Sequence, residues 1–323
     1  MALTEEGLIH VPDLYSRFVR LPSGVKAHYV TSGETGPNVV LLHGGITGSS
    51  GTAGWRFMAP YLGANGFRVY CPDMPWFGLT EDLDRFYPEG PKGHVDFLHD
   101  FTTALCLDTF HLGGNSMGTD NSVLYALAHP ERVVSMGLIA TRNMGIDLLD
   151  NEALAEAAKN AKYSRPFAGY NFDGTEATMR TMMEGVIYHP DGITDDLIKM
   201  RTNAANRHRD AQGYYANLPT GNDKVRFSVR GKLDKLTIPT VYLYGKNDNL
   251  GPVEGGYLQE DLLPNFQFFY PDECGHQGQT DQPEMFNQVF LEFFRDGAVS
   301  RKTADWAGIS TRRPELAGMV SKS

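Results

Sequence analysis

Residues 109–118 read Thr-Phe-His-Leu-Gly-Gly-Asn-Ser-Met-Gly and contain the spacing Gly-x-Ser-x-Gly, with the serine at position 116. An apolar run precedes this motif, and a helical pattern over 117–129 follows it directly. A serine in a tight turn between a strand and a helix needs small neighbours, because larger side chains at Gly114 and Gly118 would collide. The turn exposes the Ser116 hydroxyl where free backbone N–H groups favour developing negative charge. The motif therefore predicts Ser116 as a nucleophile.

Short apolar runs that end at Gly or at Pro-Asp recur along the chain. Residues 39–42, for example, are Val-Val-Leu-Leu and run into His43-Gly44-Gly45. Such runs are typical of buried parallel strands, and helical patterns lie between them, which predicts a parallel α/β sheet. The predicted strands are a hairpin at 15–31 and runs at 39–42, 67–71, 109–113, 133–140, 241–244 and 266–270, and the predicted helices between them are 92–106, 117–129, 253–262 and 284–295.

The long segment 142–235 interrupts this alternation. It has little strand pattern and is rich in Ala, Met, Asn and charged residues, so we predict a helical insertion that covers the strand ends where ligands bind. The predicted division is an α/β core at 1–141 and 236–297, a helical cap at 142–235 and a C-terminal tail at 298–323. The polar tail is predicted to be loosely ordered, or alternatively to pack on a neighbouring subunit through Trp306.

Composition excludes several classes of function. The 323 residues carry a formal net charge of −10 without any basic run, which argues against a nucleic-acid partner. No apolar stretch approaches the roughly 20 residues of a membrane helix, and the N-terminus lacks the features of a signal peptide. Cys71, Cys106 and Cys274 form no C-x-x-C pair, which predicts a reduced, cytoplasmic protein. No motif for a metal or nucleotide is present, so no cofactor is expected.

A serine nucleophile needs a general base and a group that orients this base. Of the ten histidines, His276 is the best placed, since it follows the last predicted strand and precedes the last helix. Asp248 lies just after the preceding strand, and its carboxylate would accept the Nδ1 proton of His276 and fix the tautomer. Asp272 and Glu273 are closer in sequence to His276 and are the rival acids. The alternative for Asp248 is a turn residue in Asn-Asp-Asn.

The sequence also predicts where an oxyanion would be stabilised. His43-Gly44-Gly45 ends a strand, and its small residues let a backbone N–H approach a substrate oxygen. Together with the N–H of Met117, Gly44 and Gly45 are predicted to form an oxyanion hole. His43 itself is predicted to shape this loop and to transfer no proton.

As a set, these motifs resemble the α/β-hydrolase superfamily over about residues 20–296. The resemblance rests on His43-Gly44-Gly45, Asp73–Gly78, Gly114–Gly118, Gly245–Asp248 and Gly275-His276. It implies an α/β-hydrolase fold, with a mostly parallel central sheet, helices on both faces and a helical cap.

Within this superfamily the chain looks most like the meta-cleavage product hydrolases, which cleave a carbon–carbon bond in vinylogous 1,5-diketones formed by aromatic-ring opening. Three stretches resemble their nucleophile turn, oxyanion loop and cap helix, namely Asn115–Gly118, Leu41–Gly45 with Gly48–Gly51, and Ile193–Arg201. The family usually has Trp after the catalytic histidine, and this chain has Gln277.

The resemblance implies a Ser-His-Asp hydrolase without a cofactor, acting on a hydrophobic or aromatic small molecule. It places Asn115, Arg201 and Gln277 at the substrate, with the Arg201 guanidinium on the substrate carboxylate. The alternative for Arg201 is a surface helix residue. Related hydrolases are often dimers or larger, so the resemblance also implies a homo-oligomer.

Two other functions stay open from the sequence. A carboxylesterase or lactonase that acts on a bulky aromatic or polyketide-like ester is favoured by Gln277 in place of Trp. A non-catalytic ligand receptor with the same fold is disfavoured by the intact Ser, Asp and His set. A panel of aryl esters beside one yellow ring-fission dienoate separates the two enzymes, and labelling by a fluorophosphonate separates an enzyme from a receptor.

Overall fold

One mixed sheet of eight strands forms the centre of the computed structural model, which describes residues 3–82, 84–145, 147–163, 171–211 and 213–321. The remaining residues fall within the predicted core, cap and tail and lie outside the described residues. The strands are β1 (Tyr15–Arg20), β2 (Lys26–Ser32), β3 (Asn38–Leu42), β4 (Arg68–Pro72), β5 (Phe110–Asn115), β6 (Val133–Ile139), β7 (Thr240–Leu243) and β8 (Phe266–Phe269).

The strand order is β1-β2-β4-β3-β5-β6-β7-β8. The pairs β1–β2 and β2–β4 are antiparallel, and every pair from β4 across to β8 is parallel. The burial of nearly every residue of the central strands β3, β5 and β7 explains why they read as continuous apolar or glycine runs. The predicted mostly parallel sheet is confirmed.

Helices cover both faces of this sheet. They are α1 (Gly51–Trp55), α2 (Met58–Ala64), α3 (Pro91–Ala104), α4 (Met117–Ala128), α5 (Asn151–Lys159), α6 (Glu176–Val186), α7 (Asp195–Arg207), α8 (Gly221–Phe227), α9 (Val253–Leu262), α10 (Gly278–Asp281), α11 (Pro283–Asp296) and α12 (Arg301–Trp306). Successive residues of a strand face opposite sides. In β5, a Cβ on Gly113 would meet the Phe290 ring of α11, and one on Gly114 would meet the Gly118 backbone of α4. These two helices therefore lie on opposite faces.

The helices α5 to α8 all lie between β6 and β7, inside the segment 142–235. The helices α6 and α7 pack against each other around a small apolar cluster that includes Met182, Met183 and Ile198. Ile46, from the loop after β3, belongs to the same cluster, so the insertion sits directly over the carboxyl end of that strand. We propose 142–235 as the cap, and we use this name for it below.

The tail is ordered against its own chain over residues 298–321, so the prediction of a loose tail is wrong. Helix α12 buries Ala304 next to α11, and Val299 pairs with Val320 in an isolated bridge. Arg313 donates to backbone carbonyls at the β8 end of the sheet, including that of Phe266 at 2.6 Å. The polar composition of the tail did not indicate this packing. The segment is held in place by the apolar stems of arginine side chains and by hydrogen bonds from their guanidinium groups. Trp306, the proposed anchor to a neighbouring subunit, is 53% exposed.

Candidate active site

The turn between β5 and α4 holds Ser116 in a strained backbone conformation. Its φ of 57° and ψ of −121° lie in a region that non-glycine residues rarely adopt. A Cβ on Gly118 would lie 2.0 Å from the Leu42 carbonyl oxygen, and one on Gly114 would lie 2.3 Å from the Gly118 backbone. Only glycine fits at either position, as the motif predicts. The strain presents the Ser116 side chain at the carboxyl end of the central strand.

Asp248 and His276 form a buried pair beside this turn. His276 Nδ1 lies 2.7 Å from Asp248 Oδ2, while the other Asp248 oxygen accepts from the N–H groups of Leu250 and Gly251. The rival acid Asp272 is largely exposed and pairs with Lys246 at 2.7 Å. Of the acids weighed from the sequence, the structure brings Asp248 to the imidazole.

His276 carries an unused acceptor. Because Nδ1 donates to Asp248, Nε2 holds the lone pair of the ring. This atom is buried and has no hydrogen-bond partner among the described residues, so the structure shows no Ser116–His276 hydrogen bond. In free enzymes such contacts are often long and tighten only when substrate binds. An orphaned buried acceptor is costly, and a hydroxyl proton would satisfy it.

Two neighbours hold the His276 loop in place. The His276 N–H donates to the Val186 carbonyl of α6, at 2.9 Å. The Asn115 amide donates to the His276 carbonyl, also at 2.9 Å. The structure thus places Asn115, predicted at the substrate, as a tether of the base. Gln277 is buried directly after His276 and precedes α10.

The predicted oxyanion loop lies against the nucleophile turn. A Cβ on Gly44 would sit 3.4 Å from the Ser116 Cβ, and one on Gly45 would sit 3.1 Å from the Met117 Cβ. Helix α4 begins at Met117, whose N–H therefore lacks a partner within the helix. His43 bonds the Gly44 carbonyl through Nδ1 and accepts the Met74 N–H through Nε2. Both of its ring nitrogens are used, which fits a structural role.

Arg201 of α7 is buried, with 1% of its surface exposed, so the alternative of a surface residue is wrong. Its Nη2 lies 3.2 Å from the Ser49 hydroxyl and 3.4 Å from the Thr47 carbonyl, while Nε has no partner. Within the described ranges no carboxylate forms an ion pair with it. Burial, followed by the nearby Arg56 charge, lowers the Arg201 pKa to about 9. A buried guanidinium without a counter-charge is destabilising and is a natural anion site.

A cavity of about 420 Å³ lies between the oxyanion loop and the cap, and we call it the cap cavity. Its walls include the loop residues Gly45, Thr47 and Ser49, together with Ala205 and His208 at the end of α7. Ser116 and His276 do not line it. Arg201 does not line the cavity either, but its hydrogen-bond partners Thr47 and Ser49 do, so these two residues lie between the guanidinium and the cavity. Its volume suits a small organic molecule.

One buried acid near the nucleophile was not found from the sequence. Asp120 lies one helical turn after Ser116 in α4, and its carboxylate accepts from the Thr141 hydroxyl, the Gly145 N–H and the Tyr215 hydroxyl at 2.8–2.9 Å. Burial raises the pKa of Asp120 to about 7. The sequence does carry a signal for this residue. Asp120 lies four residues after the predicted nucleophile, on a helix expected to be buried against the sheet, so a buried carboxyl could have been predicted there.

This carboxyl gives a pH-dependent contribution to stability. Its pKa is raised from 3.8 to about 7, so the folded state binds the proton more tightly than the unfolded state. The contribution of this carboxyl to the free energy of unfolding is therefore greatest below about pH 4, and it is lost as the pH rises through 7. We expect Asp120→Asn to remove this loss. At pH 8, urea titrations should give the variant a free energy of unfolding at least about 1 kcal/mol above that of wild type.

The control for this measurement is Asp223→Asn, which removes the same charge from the exposed surface of α8. It should leave the change in unfolding free energy between pH 5 and pH 8 as it is in wild type. An Asp120→Asn protein that lost as much stability as wild type over this range would contradict the assignment.

Comparison with known proteins identifies the family to which this chain belongs. The chain matches the family model for the alpha/beta hydrolase fold over residues 37–283, which is most of its length. The chain therefore belongs to the α/β-hydrolase family, as its motifs predict.

Individual relatives are similar over nearly the whole chain. A 2-hydroxy-6-oxononadienedioate/2-hydroxy-6-oxononatrienedioate hydrolase of Cupriavidus pinatubonensis is 27% identical, covering 90% of this chain and 97% of the relative. A 2-hydroxy-6-oxo-6-(2'-aminophenyl)hexa-2,4-dienoic acid hydrolase of Metapseudomonas resinovorans is also 27% identical, covering 89% of this chain and 94% of the relative. A solved serine hydrolase involved in carbazole degradation is 26% identical, covers 87% of this chain and 99% of its own, and superimposes with a TM-score of 0.68.

The described residues lack two features that other functions would need. None of the helices there combines the length and the apolar character that a membrane crossing requires. Over the same residues, no three His, Cys, Asp or Glu side chains are grouped closely enough to hold a metal ion.

Proposed function

We propose that this chain is a serine hydrolase that cleaves a carbon–carbon bond in a vinylogous diketone of the meta-cleavage type. Ser116 is the nucleophile or activates water, His276 is the general base, and Asp248 orients the imidazole and stabilises its charged form. The N–H groups of Gly45 and Met117 bind the oxyanion, with Gly44 completing the loop.

The proposed reaction begins at the polar end of the substrate. The dienol first becomes a ketone as its hydroxyl gives up a proton and a carbon of the diene takes one up, while Arg201 holds the polar end of the molecule. The Ser116 hydroxyl then adds to the second carbonyl and its proton passes to Nε2 of His276, which is the acceptor that now lacks a partner. Collapse of the adduct breaks the carbon–carbon bond, the same proton goes to the departing carbon, and an acyl group is left on Ser116. Water that gives a proton to His276 then attacks this acyl group, and its release as a carboxylic acid returns the proton to the serine oxygen.

The observation that carries this proposal is the buried Arg201. A guanidinium with a free Nε inside the protein calls for a planar anion, and a carboxylate accepts two parallel hydrogen bonds from it. The two curated relatives named above are named for a nonadienedioate or nonatrienedioate and for a hexa-2,4-dienoic acid, which all carry such a carboxylate. A simple ester substrate gives this charge nothing to bind.

A second candidate is a carboxylesterase or lactonase acting on a bulky ester. Gln277 favours it, because the carbon–carbon hydrolases usually have Trp directly after the catalytic histidine and this chain has a buried amide there. The oxyanion loop and the Asp248–His276 pair would serve this reaction equally well.

A substrate panel separates the two candidates. The panel holds a yellow ring-fission dienoate, its methyl ester at the carboxylate, and a set of aryl esters. We expect the dienoate to be bleached with kcat/KM at least about tenfold above the methyl ester and every aryl ester, since only the free acid pairs with Arg201. Aryl-ester turnover without bleaching would select the esterase and reject the carbon–carbon reaction.

We also propose that the protein works in the cytoplasm and assembles from copies of itself. Both rest on the sequence, through its reduced cysteines and its resemblance to dimeric or larger hydrolases. Light scattering coupled to size-exclusion chromatography gives the number of copies.

A further inference from the structure

The end of helix α6 is hydrogen-bonded to both loops that carry the proposed base and its acid. The Asn249 amide, in the loop of the acid, donates to the Gly185 carbonyl at 2.6 Å. The backbone N–H of His276 donates to the next carbonyl of the cap, that of Val186, at 2.9 Å. We call residues 185–189 the cap joint, because the cap meets both catalytic loops there.

A buried carboxylate adds three further hydrogen bonds at this joint. Asp281 ends α10, shortly after the proposed base, and only 8% of its surface is exposed. Its Oδ2 accepts the Gly275 N–H at 2.7 Å, and its Oδ1 accepts the N–H groups of Tyr188 and His189 at 2.7 and 2.8 Å. One side chain therefore binds the loop of His276 to the cap joint.

The contact at the joint is close enough to require glycine at position 275. A Cβ there would lie 2.7 Å from the Val186 carbonyl oxygen, 3.0 Å from Asp281 Oδ2 and 3.1 Å from the Tyr188 nitrogen. A backbone enclosed this tightly cannot shift without breaking these bonds. The place of His276, the next residue of the chain, therefore depends on the joint.

The charge of Asp281 is satisfied by backbone donors. Burial raises the pKa of this carboxyl to about 6, while the three N–H groups oppose the rise, so the side chain is ionised at pH 8. An amide has a single acceptor oxygen. Whichever way an asparagine turned at position 281, its NH2 group would face an N–H donor. Asp281→Asn therefore opens the joint with little change in side-chain size.

We propose that Asp281 and Asn249 are positioning residues that hold the two catalytic loops on the cap joint. Asp281 sets the place of the imidazole through Gly275, and Asn249 sets that of the acid next to it. The cap thus helps to aim the base, in addition to covering the cavity. The proposal rests on the proposed serine mechanism, since neither side chain is given a chemical step of its own. Because a displacement of about 1 Å can cost about a hundredfold in rate, loosening either loop should slow the reaction.

The test measures how fast a fluorophosphonate labels the full chain at pH 8, and what fraction is labelled at the end. The rate reports how well the base activates the serine, without any assumed substrate, and the final fraction counts the folded molecules. We expect Asp281→Asn to react at least about tenfold more slowly than wild type, and Asn249→Ala at least about threefold more slowly, with unchanged final fractions. A side chain that only stabilises the fold would lower the fraction and leave the rate as it is.

Turnover of the dienoate gives a second readout. In Asp281→Asn, kcat should fall about tenfold or more while KM stays within about threefold of wild type, because Asp281 does not line the cap cavity. A wild type that is labelled but does not bleach the dienoate would reject the carbon–carbon reaction, and the labelling rates would still decide the positioning role.

The matched control is Asp82→Asn. Asp82 is also buried and also accepts two backbone N–H groups, those of Phe86 and Tyr87, but its neighbour Glu81 pairs with the start of β2. It should be labelled within about twofold of the wild-type rate.

A folded Asp281→Asn that loses less than tenfold in labelling rate overturns the positioning role, and so does an equal loss in the Asp82→Asn control. If Asp281→Asn does not fold, Asn249→Ala decides: a threefold loss supports the role, and a smaller one overturns it. Ser116→Ala is labelled in parallel. If it reacts as fast as wild type, the serine mechanism fails and the positioning role fails with it.

Discussion

Replacing Ser116 by alanine is expected to lower turnover of the ring-fission dienoate at least about a thousandfold, with the fold unchanged. The hydroxyl is the atom that attacks or activates water, and nothing else at the turn between β5 and α4 can take its place. The Ser116 side chain forms no cap hydrogen bond to α4, so its loss removes little that the helix needs. The measurement is the rate of loss of the yellow absorbance, together with the circular dichroism of both proteins.

A matched serine control is available in the neighbouring strand β6. Ser135 is buried and its hydroxyl bonds His111 at 2.8 Å, away from the proposed site. Ser135→Ala should keep turnover within about threefold of wild type. If Ser116→Ala retained most of its activity, the nucleophilic role would be refuted.

Replacing Arg201 by methionine is expected to separate substrate recognition from stability. Loss of the guanidinium should lower kcat/KM for the free dienoate about a hundredfold or more, because a buried charge pair with the carboxylate is lost. The methyl ester of the same dienoate should lose no more than about threefold. The free energy of unfolding of the variant should also be at least about 1 kcal/mol above that of wild type, because methionine removes an unpaired buried charge.

The control for this change is Arg180→Met in the adjacent cap helix α6. Arg180 is partly exposed and pairs with the exposed Asp195, so its removal should change neither kcat/KM nor stability by much. An equal loss on the free acid and the methyl ester in Arg201→Met would show that the guanidinium shapes the pocket and does not bind the carboxylate.

The fold was predictable wherever local pattern and burial agree. The strands β3 to β8 are buried parallel strands, so each reads as a short apolar or glycine run that ends in a turn. The strained turn at Ser116 was predictable because steric exclusion at Gly114 and Gly118 leaves a visible motif. The short helices α1 and α2 were missed, since five and seven residues are too few to show a clear period.

The site was predictable only in part. Asp248 and His276 follow from their positions after successive strands, because the carboxyl ends of parallel strands meet at one edge. The contact between Asp120 and Tyr215 joins residues 95 positions apart, and no local pattern carries it. The burial of Arg201 depends on how α7 packs over the oxyanion loop, which the amphipathic pattern of the helix does not specify. For the same reason Asn115 was assigned to the substrate, whereas its amide donates to the His276 backbone.

The most direct test of the whole account is a crystal structure of Ser116→Ala with the intact dienoate bound. The account predicts the carboxylate on the Arg201 guanidinium, and the reacting carbonyl carbon beside position 116. Its oxygen should face the N–H groups of Gly45 and Met117, with Nε2 of His276 within reach. A dienoate bound with its carboxylate away from Arg201, or with its carbonyl remote from position 116, would contradict the proposed reaction.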